Sequence, residues 1–289
     1  MEEEEITFHQ ILRRLISGDD PFSVASDTGL INDINYDMPC PKCGSRMVTK
    51  REKKIRKCCR TDCRLSISLL YPLPNTRGNI SIDVYLLIYA CFCQDFSQHD
   101  TEAITGASHC SVNHWYGVFR TRAVEKCEEE FIAEGVGFDV QADECLVAKR
   151  KYNVGRFVEG RWVIGLCENI PNGKCFIEGI HNRTSATLLP IISQAVHKDG
   201  ILRTDMWRGY SGVENLGINH MTVNHSKNFV DPSTGTTTNR MEGIWGAYKR
   251  WRNKKGYIFK EYTDSYVKEW VYRYNHKHNF ADIWRNLFR

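Results

Sequence analysis

The chain has 289 residues, of which 42% are hydrophobic and 26% charged, and its formal net charge is +4. This composition is typical of a globular protein, and the length predicts a large domain with a smaller N-terminal part. The longest apolar stretch, 84–93, is shorter than the roughly 20 residues that span a bilayer. The acidic N-terminus does not resemble a secretory signal. We therefore expect an intracellular protein with no membrane partner, which excludes the secreted and membrane-embedded classes.

Two closely spaced cysteine pairs follow a predicted N-terminal helical segment (1–35). With two and four residues inside the pairs and 14 between them, they are Cys40, Cys43, Cys58 and Cys63. Four thiolates match tetrahedral Zn²⁺, and a segment with few apolar residues has little else to stabilise it. We predict a zinc ribbon over 36–75 that holds one structural Zn²⁺. Cys59 is the alternative to Cys58 as a ligand.

Basic residues are concentrated in two short stretches. Residues 46–64 carry nine lysines and arginines against two acids, and a second cluster covers 249–255. Duplex DNA carries one charge about every 1.7 Å, so such clusters are typical of phosphate contacts. A solvated face explains the second cluster equally well. The cations that we assign to DNA in these clusters are Lys53, Lys54, Arg56, Lys249 and Arg250. The KREKKIRK run is also typical of a nuclear localisation signal, which would place the protein in the nucleus of a eukaryotic host.

The pattern between 76 and 134 is helical. Residues 82–93 are apolar nearly all round, and two further helices joined at Gly106 resemble a helix-turn-helix, in which the second helix enters the DNA major groove. We expect Ser111 to cap that second helix. Its predicted outer face carries Asn113, His114, Arg120 and Arg122, and we assign the two arginines to DNA. Helical hairpins are also common without DNA binding, so the pattern alone leaves this role open.

After Gly135 the pattern changes to that of a mixed α/β domain. Strands are predicted over 137–147, 161–170 and 175–182, then a helix over 184–198, a strand that ends at Asp205, a strand over 218–226 and a helix that carries Glu242. This is the element order of a ribonuclease-H-like fold. We predict such a domain over 135–289.

Three acids lie at defined positions in these predicted elements: Asp143 in the first strand, Asp205 at the end of a strand and Glu242 in the last helix. Two carboxylates about 4 Å apart repel by roughly 4 kcal/mol at an effective dielectric near 20. If the fold brings these acids together, bound cations are therefore needed to neutralise them. Oxygen ligands suit two Mg²⁺ or Mn²⁺ ions, which stabilise the attacking and leaving oxygens of a phosphoryl displacement. Any one of the acids alone is better explained as a solvated side chain. Glu144 points to the opposite face of the strand, so we expect it to be structural.

The sequence around these acids resembles the catalytic core of Merlin-type DDE transposases and their bacterial insertion-sequence relatives. The similar segments are QADECLVAKRKYNVGR (141–156), TDMWRGY (204–210) and VNHSKNFVDPSTGTTTNRMEGIWGAYKR (223–250), with 36 residues between Asp205 and Glu242. The resemblance implies that Asp143, Asp205 and Glu242 are the catalytic metal ligands. It also implies hydrolysis at transposon ends followed by strand transfer, with terminal inverted repeats as the DNA partner and a homo-oligomer on that DNA.

Two local features and two alternatives accompany this interpretation. Arg208 lies beside the second acid, and we assign it to DNA. Thr237 occupies a position where the family often has histidine, which is a departure from the pattern. The main alternative is a domesticated, catalytically inactive zinc-ribbon DNA-binding protein descended from such a transposase. A ribonuclease-H-like nuclease without strand transfer is the other.

Overall fold

The computed structural model describes residues 6–31, 38–50, 54–74, 80–147, 160–223, 237–256 and 258–289. The helices are α1 (Phe8–Ile16), α2 (Pro21–Asp27), α3 (Ile82–Cys93), α4 (Gln98–Thr105), α5 (His109–Glu134), α6 (Ser185–Ala195), α7 (Asn239–Lys254), α8 (Thr263–Asn275) and α9 (Phe280–Asn286). The strands are β1 (Met47–Lys50), β2 (Ile55–Cys58), β3 (Ser66–Ser68), β4 (Gly137–Val147), β5 (Arg161–Glu168), β6 (Cys175–Ile180), β7 (Val196–Asp205) and β8 (Asn219–Val223). The chain forms two units, unit 1 with residues 1–119 and 279–289 and unit 2 with residues 120–278.

Unit 1 is built around α3, which is buried along most of its length as its apolar sequence predicts. The Tyr89 hydroxyl on α3 donates to the carbonyl oxygens of Ile283 and Trp284, at 3.2 and 3.1 Å. This pairing satisfies a buried hydroxyl at the C-terminal helix α9, since an unpaired one would be costly. None of the helices that the structure describes is long and apolar enough to cross a membrane.

Two helices joined by a short turn, α4 and α5, occupy the segment that was predicted to resemble a helix-turn-helix. Gly106 ends α4 with a φ of +66°, a conformation that glycine adopts without strain. The prediction that Ser111 caps the next helix is wrong, because α5 begins at His109. The Ser108 hydroxyl instead accepts from the Ser111 amide at 3.3 Å, which is the hydrogen bond of an N-cap residue.

A small antiparallel sheet of order β1-β2-β3 holds the cysteine segment of unit 1. Its buried hydrophobic cluster consists of Met38, Cys40, Met47 and Cys58, with Leu65 and Ile67 packed against it. So small an apolar cluster cannot offset the conformational entropy lost on folding, so this segment needs a further source of stability.

Unit 2 contains a five-stranded mixed sheet of order β6-β5-β4-β7-β8. The strands β4, β5 and β6 form an antiparallel meander, whereas β7 is parallel to both β4 and β8. The predicted element order is therefore observed. The helix predicted over 184–198 ends at Ala195, because Val196 already pairs with Gly137 of β4 and starts β7.

Candidate active site and cysteine cluster

The side chains of Asp143 and Asp205 project from the same face of two neighbouring parallel strands. In the ladder between β4 and β7, Gln141 is paired with Arg203. Side chains alternate along a strand, so a step of two residues from each partner leads to Asp143 and to Asp205 on one face of the sheet. The parallel register, which joins residues 62 positions apart in the sequence, therefore brings the two predicted carboxylates together.

Asp143 is held in a mostly buried environment below α7. The Trp245 indole Nε1–H donates to its Oδ2 at 3.0 Å. Burial raises the pKa of Asp143 to about 6, and the nearby charges of Glu144 and Asp205 add to this rise, whereas the Trp245 hydrogen bond opposes it. A carboxylate that is desolvated and faces other acids is poorly stabilised as an anion, and a cation would relieve it.

Asp205 is oriented by the turn that follows β7. The backbone N–H of Trp207 donates to Asp205 Oδ1 at 2.9 Å, and the Trp207 indole donates to the Arg183 carbonyl oxygen at 3.0 Å. The Arg183 guanidinium lies 4.3 Å from the Trp207 ring centroid and 4.6 Å from that of Trp162. Trp207 thus fixes the carboxylate through its backbone while its ring stacks on a cation.

Glu144 lies on the opposite side of the sheet, as predicted. Its carboxylate side chain is 1% exposed and accepts from Arg183 Nη2 at 2.7 Å. This buried ion pair takes the Glu144 charge away from the face that carries Asp143. The structure therefore supports a structural role for Glu144.

The helix α7 approaches the sheet closely because Gly165 lies opposite Asp143 in the β4–β5 ladder. A Cβ at Gly165 would meet the Met241 Cε at 2.5 Å and the Trp245 ring at 2.6 Å, so no larger residue fits there without a shift. This contact brings Trp245 within reach of Asp143. Neither Gly165 nor Trp245 was recognised as a site residue from the sequence, although Trp245 recurs at helical spacing with Met241 and Tyr248.

Glu242 lies in the first turn of α7 and is exposed to solvent. Its helix packs on the face of the sheet that carries Asp143, and Trp245, which donates a hydrogen bond to Asp143, follows one turn later. Among the described residues, the cysteine cluster is the only group of three or more His, Cys, Asp or Glu side chains whose ligand atoms all lie within 4.8 Å of one another. The three acids are therefore more widely spaced than ligands gathered on a single ion.

The four predicted cysteines converge in unit 1. The Sγ atoms of Cys40 and Cys63 are 3.7 Å apart, and those of Cys43 and Cys58 are 3.6 Å apart. A tetrahedral ion with bonds of about 2.3 Å requires sulfur atoms roughly 3.8 Å apart, so this spacing fits a zinc ion. The cluster can hold a metal ion. Cys59 is exposed and lies outside the cluster. Cys58, not Cys59, is therefore the fourth member of the cluster.

The two turns of the cluster aim backbone and side-chain donors at sulfur. Hydrogen bonds from the Ser45 hydroxyl and backbone lower the pKa of Cys43 to about 6. The Arg60 amide, 3.4 Å from Cys58 Sγ, lowers the pKa of Cys58, but burial and the neighbouring thiols raise it to about 12. Four thiols this close cannot all ionise without a cation. The turn that contains Cys40 and Cys43 already favours the thiolate form of Cys43. Gly44, with a φ of +70°, makes the tight turn that follows Cys43.

The cations assigned to DNA are found in different environments. Lys54, Arg208, Lys249 and Arg250 are exposed, and Lys53 lies outside the described residues. The structure corrects the expected surface position of two others. Arg56 is 3% exposed, since it points inward from β2, and the Arg120 side chain is 11% exposed and pairs with the buried Glu269 at 2.8 Å. Arg122 is paired with Glu125 and Glu129.

The sequence comparisons connect this arrangement with known proteins. Residues 137–275, which include all three acids and the whole five-stranded sheet, match the ISXO2-like transposase domain. A transposase-like protein of Haemophilus influenzae is 34% identical over 102 residues, which are 35% of this chain and 81% of that protein. The chain belongs to the ISXO2-like transposase family. This agrees with the wider resemblance to insertion-sequence transposases that the motifs indicated.

Similarity to solved transposase structures is weak. A pre-cleavage Mos1 transpososome aligns with a TM-score of 0.26 and 11% identity, over 100% of this chain and 97% of the other. A Mos1 transposase paired-end complex with the left transposon end aligns with a TM-score of 0.27 and 10% identity, over 100% of each chain. The family membership of this ISXO2-like transposase rests on the sequence matches alone.

Proposed function

We propose that this ISXO2-like protein is an active DDE transposase of Merlin type that hydrolyses a phosphodiester at transposon ends and then transfers the strand to target DNA. The observation that carries the proposal is the parallel pairing of β4 and β7, which presents Asp143 and Asp205 on one face beneath the helix that bears Glu242. Asp143 and Asp205 accept hydrogen bonds from the Trp245 indole and the Trp207 backbone amide, and together with Glu242 they form an oxygen-rich site in a transposase-family domain.

The residues of this site fit two Mg²⁺ or Mn²⁺ ions. Carboxylate oxygens are the preferred ligands of these ions, and the raised pKa of Asp143, caused first by burial, supports a cation beside this carboxylate. Bound divalent ions supply the Lewis acidity that activates the nucleophile and stabilises the leaving oxygen. Asp143 and Asp205 would hold them from the sheet. Glu242 would complete the coordination from α7.

The chemistry consists of two in-line displacements at one site. In the first, a water oxygen attacks phosphorus at the transposon end, the P–O3′ bond breaks, and the free 3′-hydroxyl is left. In the second, that hydroxyl attacks a target phosphodiester and displaces its 3′-oxygen. Trp245 keeps one oxygen of Asp143 oriented, and the Trp207 amide does the same for Asp205. Fixed ligands of this kind require little reorganisation during the reaction.

The remaining parts of the chain suit DNA binding and stability. We propose that the cysteine cluster holds one Zn²⁺, which would stabilise the small β1–β3 sheet. The exposed Lys249 and Arg250 lie two turns along α7 from Glu242, which supports their assignment to phosphates near the site. The helix-turn-helix of α4 and α5 would read the terminal inverted repeats, and strand transfer would take place in a homo-oligomer on DNA.

The sheet order of unit 2 supports the ribonuclease-H-like assignment. An antiparallel meander β4-β5-β6 is extended on the other side of β4 by two parallel strands, and α7 then returns to the face beside β4. Nuclease chemistry of this class needs acids from the first strand, from a neighbouring strand and from a later helix. Unit 2 supplies all three, at Asp143, Asp205 and Glu242.

The proposal is tested by cleavage and strand transfer on a duplex that bears the cognate inverted repeat. Glu242→Gln retains the size and hydrogen-bonding capacity of the side chain but removes its charge, so cutting in Mn²⁺ should fall by at least 100-fold while DNA binding persists. Ca²⁺, which is larger and looser in its coordination, should support binding with little cutting.

Glu261→Gln is the matched control, because Glu261 is another exposed acid of unit 2 and its loss should leave cutting unchanged. Wild-type protein that binds the repeat but never cuts it in Mn²⁺ would favour the domesticated DNA-binding alternative. Cutting without strand transfer would favour the nuclease. Full activity of Glu242→Gln would remove Glu242 from the site.

A further inference from the structure

A buried glutamine ties the first turn of α7 to the strand that carries Asp143. Gln141 is 1% exposed. Its Oε1 accepts from the backbone N–H groups of Arg240 and Met241, at 3.1 and 3.2 Å. The first amides of a helix have no partner within the helix, so they must be satisfied from outside. For α7 a side chain from another element does this.

The rest of the first turn shows that Gln141 replaces an ordinary cap. The N-cap residue Thr238 forms no side-chain capping hydrogen bond. The Asn239 amide donates to the Thr237 hydroxyl at 3.1 Å, and the Glu242 amide donates to the Thr238 carbonyl oxygen at 3.1 Å. The amides of Arg240 and Met241, which lie between these two positions, depend on the Gln141 side chain as their acceptor. Its loss would therefore leave two donors of a packed helix end without their acceptor.

The Gln141 amide is itself oriented by a chain of polar contacts. Its Nε2 donates to Asn169 Oδ1 at 2.7 Å, and Asn169 Nδ2 donates to Asp139 Oδ2 at 3.1 Å. Arg203 then donates to both oxygens of Asp139, at 2.7 and 3.0 Å. Because the backbone amides can only donate, the Gln141 oxygen must face α7 and its nitrogen must face Asn169. One orientation of the side chain satisfies every partner.

This anchor lies between two of the proposed metal ligands. Asp143 is two residues from Gln141 on the same strand face, and Glu242 directly follows Met241, whose amide Gln141 holds. We propose that Gln141 is a positioning residue that sets the distance between the Asp143 and Glu242 carboxylates and so the affinity of the site for divalent metal. The inference rests on the proposed metal-dependent function, because it assigns Gln141 to the same site.

The test compares Gln141→Met with Gln141→Glu in the full-length protein. Methionine has a similar length but cannot accept from the two amides, whereas glutamate retains the acceptor and places a negative charge at the helix N-terminus, where it is favourable. We expect Gln141→Met to weaken Mn²⁺ binding by about tenfold, as is usual for the loss of a group that orients metal ligands. Gln141→Glu should restore most of this affinity, because it retains the acceptor for the two amides but loses the hydrogen bond that Gln141 Nε2 donates to Asn169. Gln194→Met is the control, since Gln194 is an exposed glutamine of the same unit.

Two measurements without DNA distinguish positioning from simple stability. Calorimetric titration with Mn²⁺ reports metal affinity, and amide hydrogen exchange reports protection of Arg240 and Met241. Faster exchange with weaker Mn²⁺ binding in Gln141→Met, both restored in Gln141→Glu, supports the inference. Faster exchange with unchanged Mn²⁺ affinity overturns it.

If Gln141→Met does not fold, Asn169→Ala replaces it, because that change frees the Gln141 amide and keeps the acceptor oxygen. It should produce a smaller loss of Mn²⁺ affinity in the same direction, and no loss would refute positioning. Wild-type protein with no Mn²⁺ affinity at the three acids would refute the proposed function and the inference together. If the wild-type protein binds Mn²⁺ and cuts DNA, and Gln141→Met binds Mn²⁺ with the same affinity, the inference alone is refuted.

Discussion

Asp143→Asn should make the metal-free protein more stable while it abolishes activity. Burial raises the pKa of Asp143 from 3.8 to about 6, and each pKa unit corresponds to about 1.36 kcal/mol. The ionised carboxylate therefore costs the fold about 3 kcal/mol at pH 7. Asparagine removes this cost, and its oxygen can still accept from the Trp245 indole. For a unit of this size, such a gain raises the melting temperature by about 6–12 °C.

The pH dependence follows from the direction of the shift. Between pH 4 and 6 the native state retains a proton on Asp143 that the unfolded state has already released, so the free energy of unfolding falls as the pH rises through this window. The wild type should therefore match Asp143→Asn near pH 4 and be less stable above pH 6. Urea unfolding at pH 4, 5, 6 and 7, without Mg²⁺ or Mn²⁺, measures the difference.

Glu242→Gln is the control, because Glu242 belongs to the same proposed site but is exposed, and its replacement should change stability by less than about 0.5 kcal/mol. Mg²⁺ added at 100 times its dissociation constant should stabilise the wild type by about 2.7 kcal/mol and leave Asp143→Asn almost unchanged. Equal stability of Asp143→Asn and wild type at pH 7, or the same difference at pH 4 as at pH 7, would refute this account of the buried charge.

Three further changes test other parts of the molecule. Cys43→Ser should remove about one Zn²⁺ per chain and unfold the β1–β3 segment while unit 2 remains folded; metal analysis with hydrogen exchange would measure this, and an ordered metal-free segment would contradict it. Replacing Lys249 and Arg250 by glutamine should weaken binding to all duplexes alike and reduce the slope of log affinity against log salt by about 2; an unchanged slope would place the phosphates elsewhere. Gly165→Ala should destabilise the protein by about 1–3 kcal/mol through its clash with Trp245, and an unaffected urea midpoint would show that α7 can move aside.

Local sequence pattern predicted the features that depend on neighbours in the chain. The cysteine pairs have the spacing of two knuckles, and the structure brings their four sulfurs together. The apolar run of α3 predicted a buried helix, and the alternation after Gly135 predicted the strands in their observed order. Each of these signals is contained in a few consecutive residues. Helix ends were less predictable, as at Ala195, because strand pairing with β4 competes there with helix propensity.

The surroundings of each side chain were decided by tertiary structure. Arg120 has the helical position of a surface cation, yet Glu269, 149 residues away, pairs with it in a buried contact. Arg56 lies in a basic run but points inward, because alternation in a short strand places every second residue inside.

The sequence by itself determined which residues could serve as ligands and in which elements they lie: four thiols in two knuckles, two acids in strands and one in a helix. Tertiary structure alone decided that β4 and β7 pair in parallel, that Gly165 admits α7, and that Gln141 caps it. The physical reason is that charge, burial and capping depend on partners brought together from distant parts of the chain. The pattern around one residue does not contain those partners.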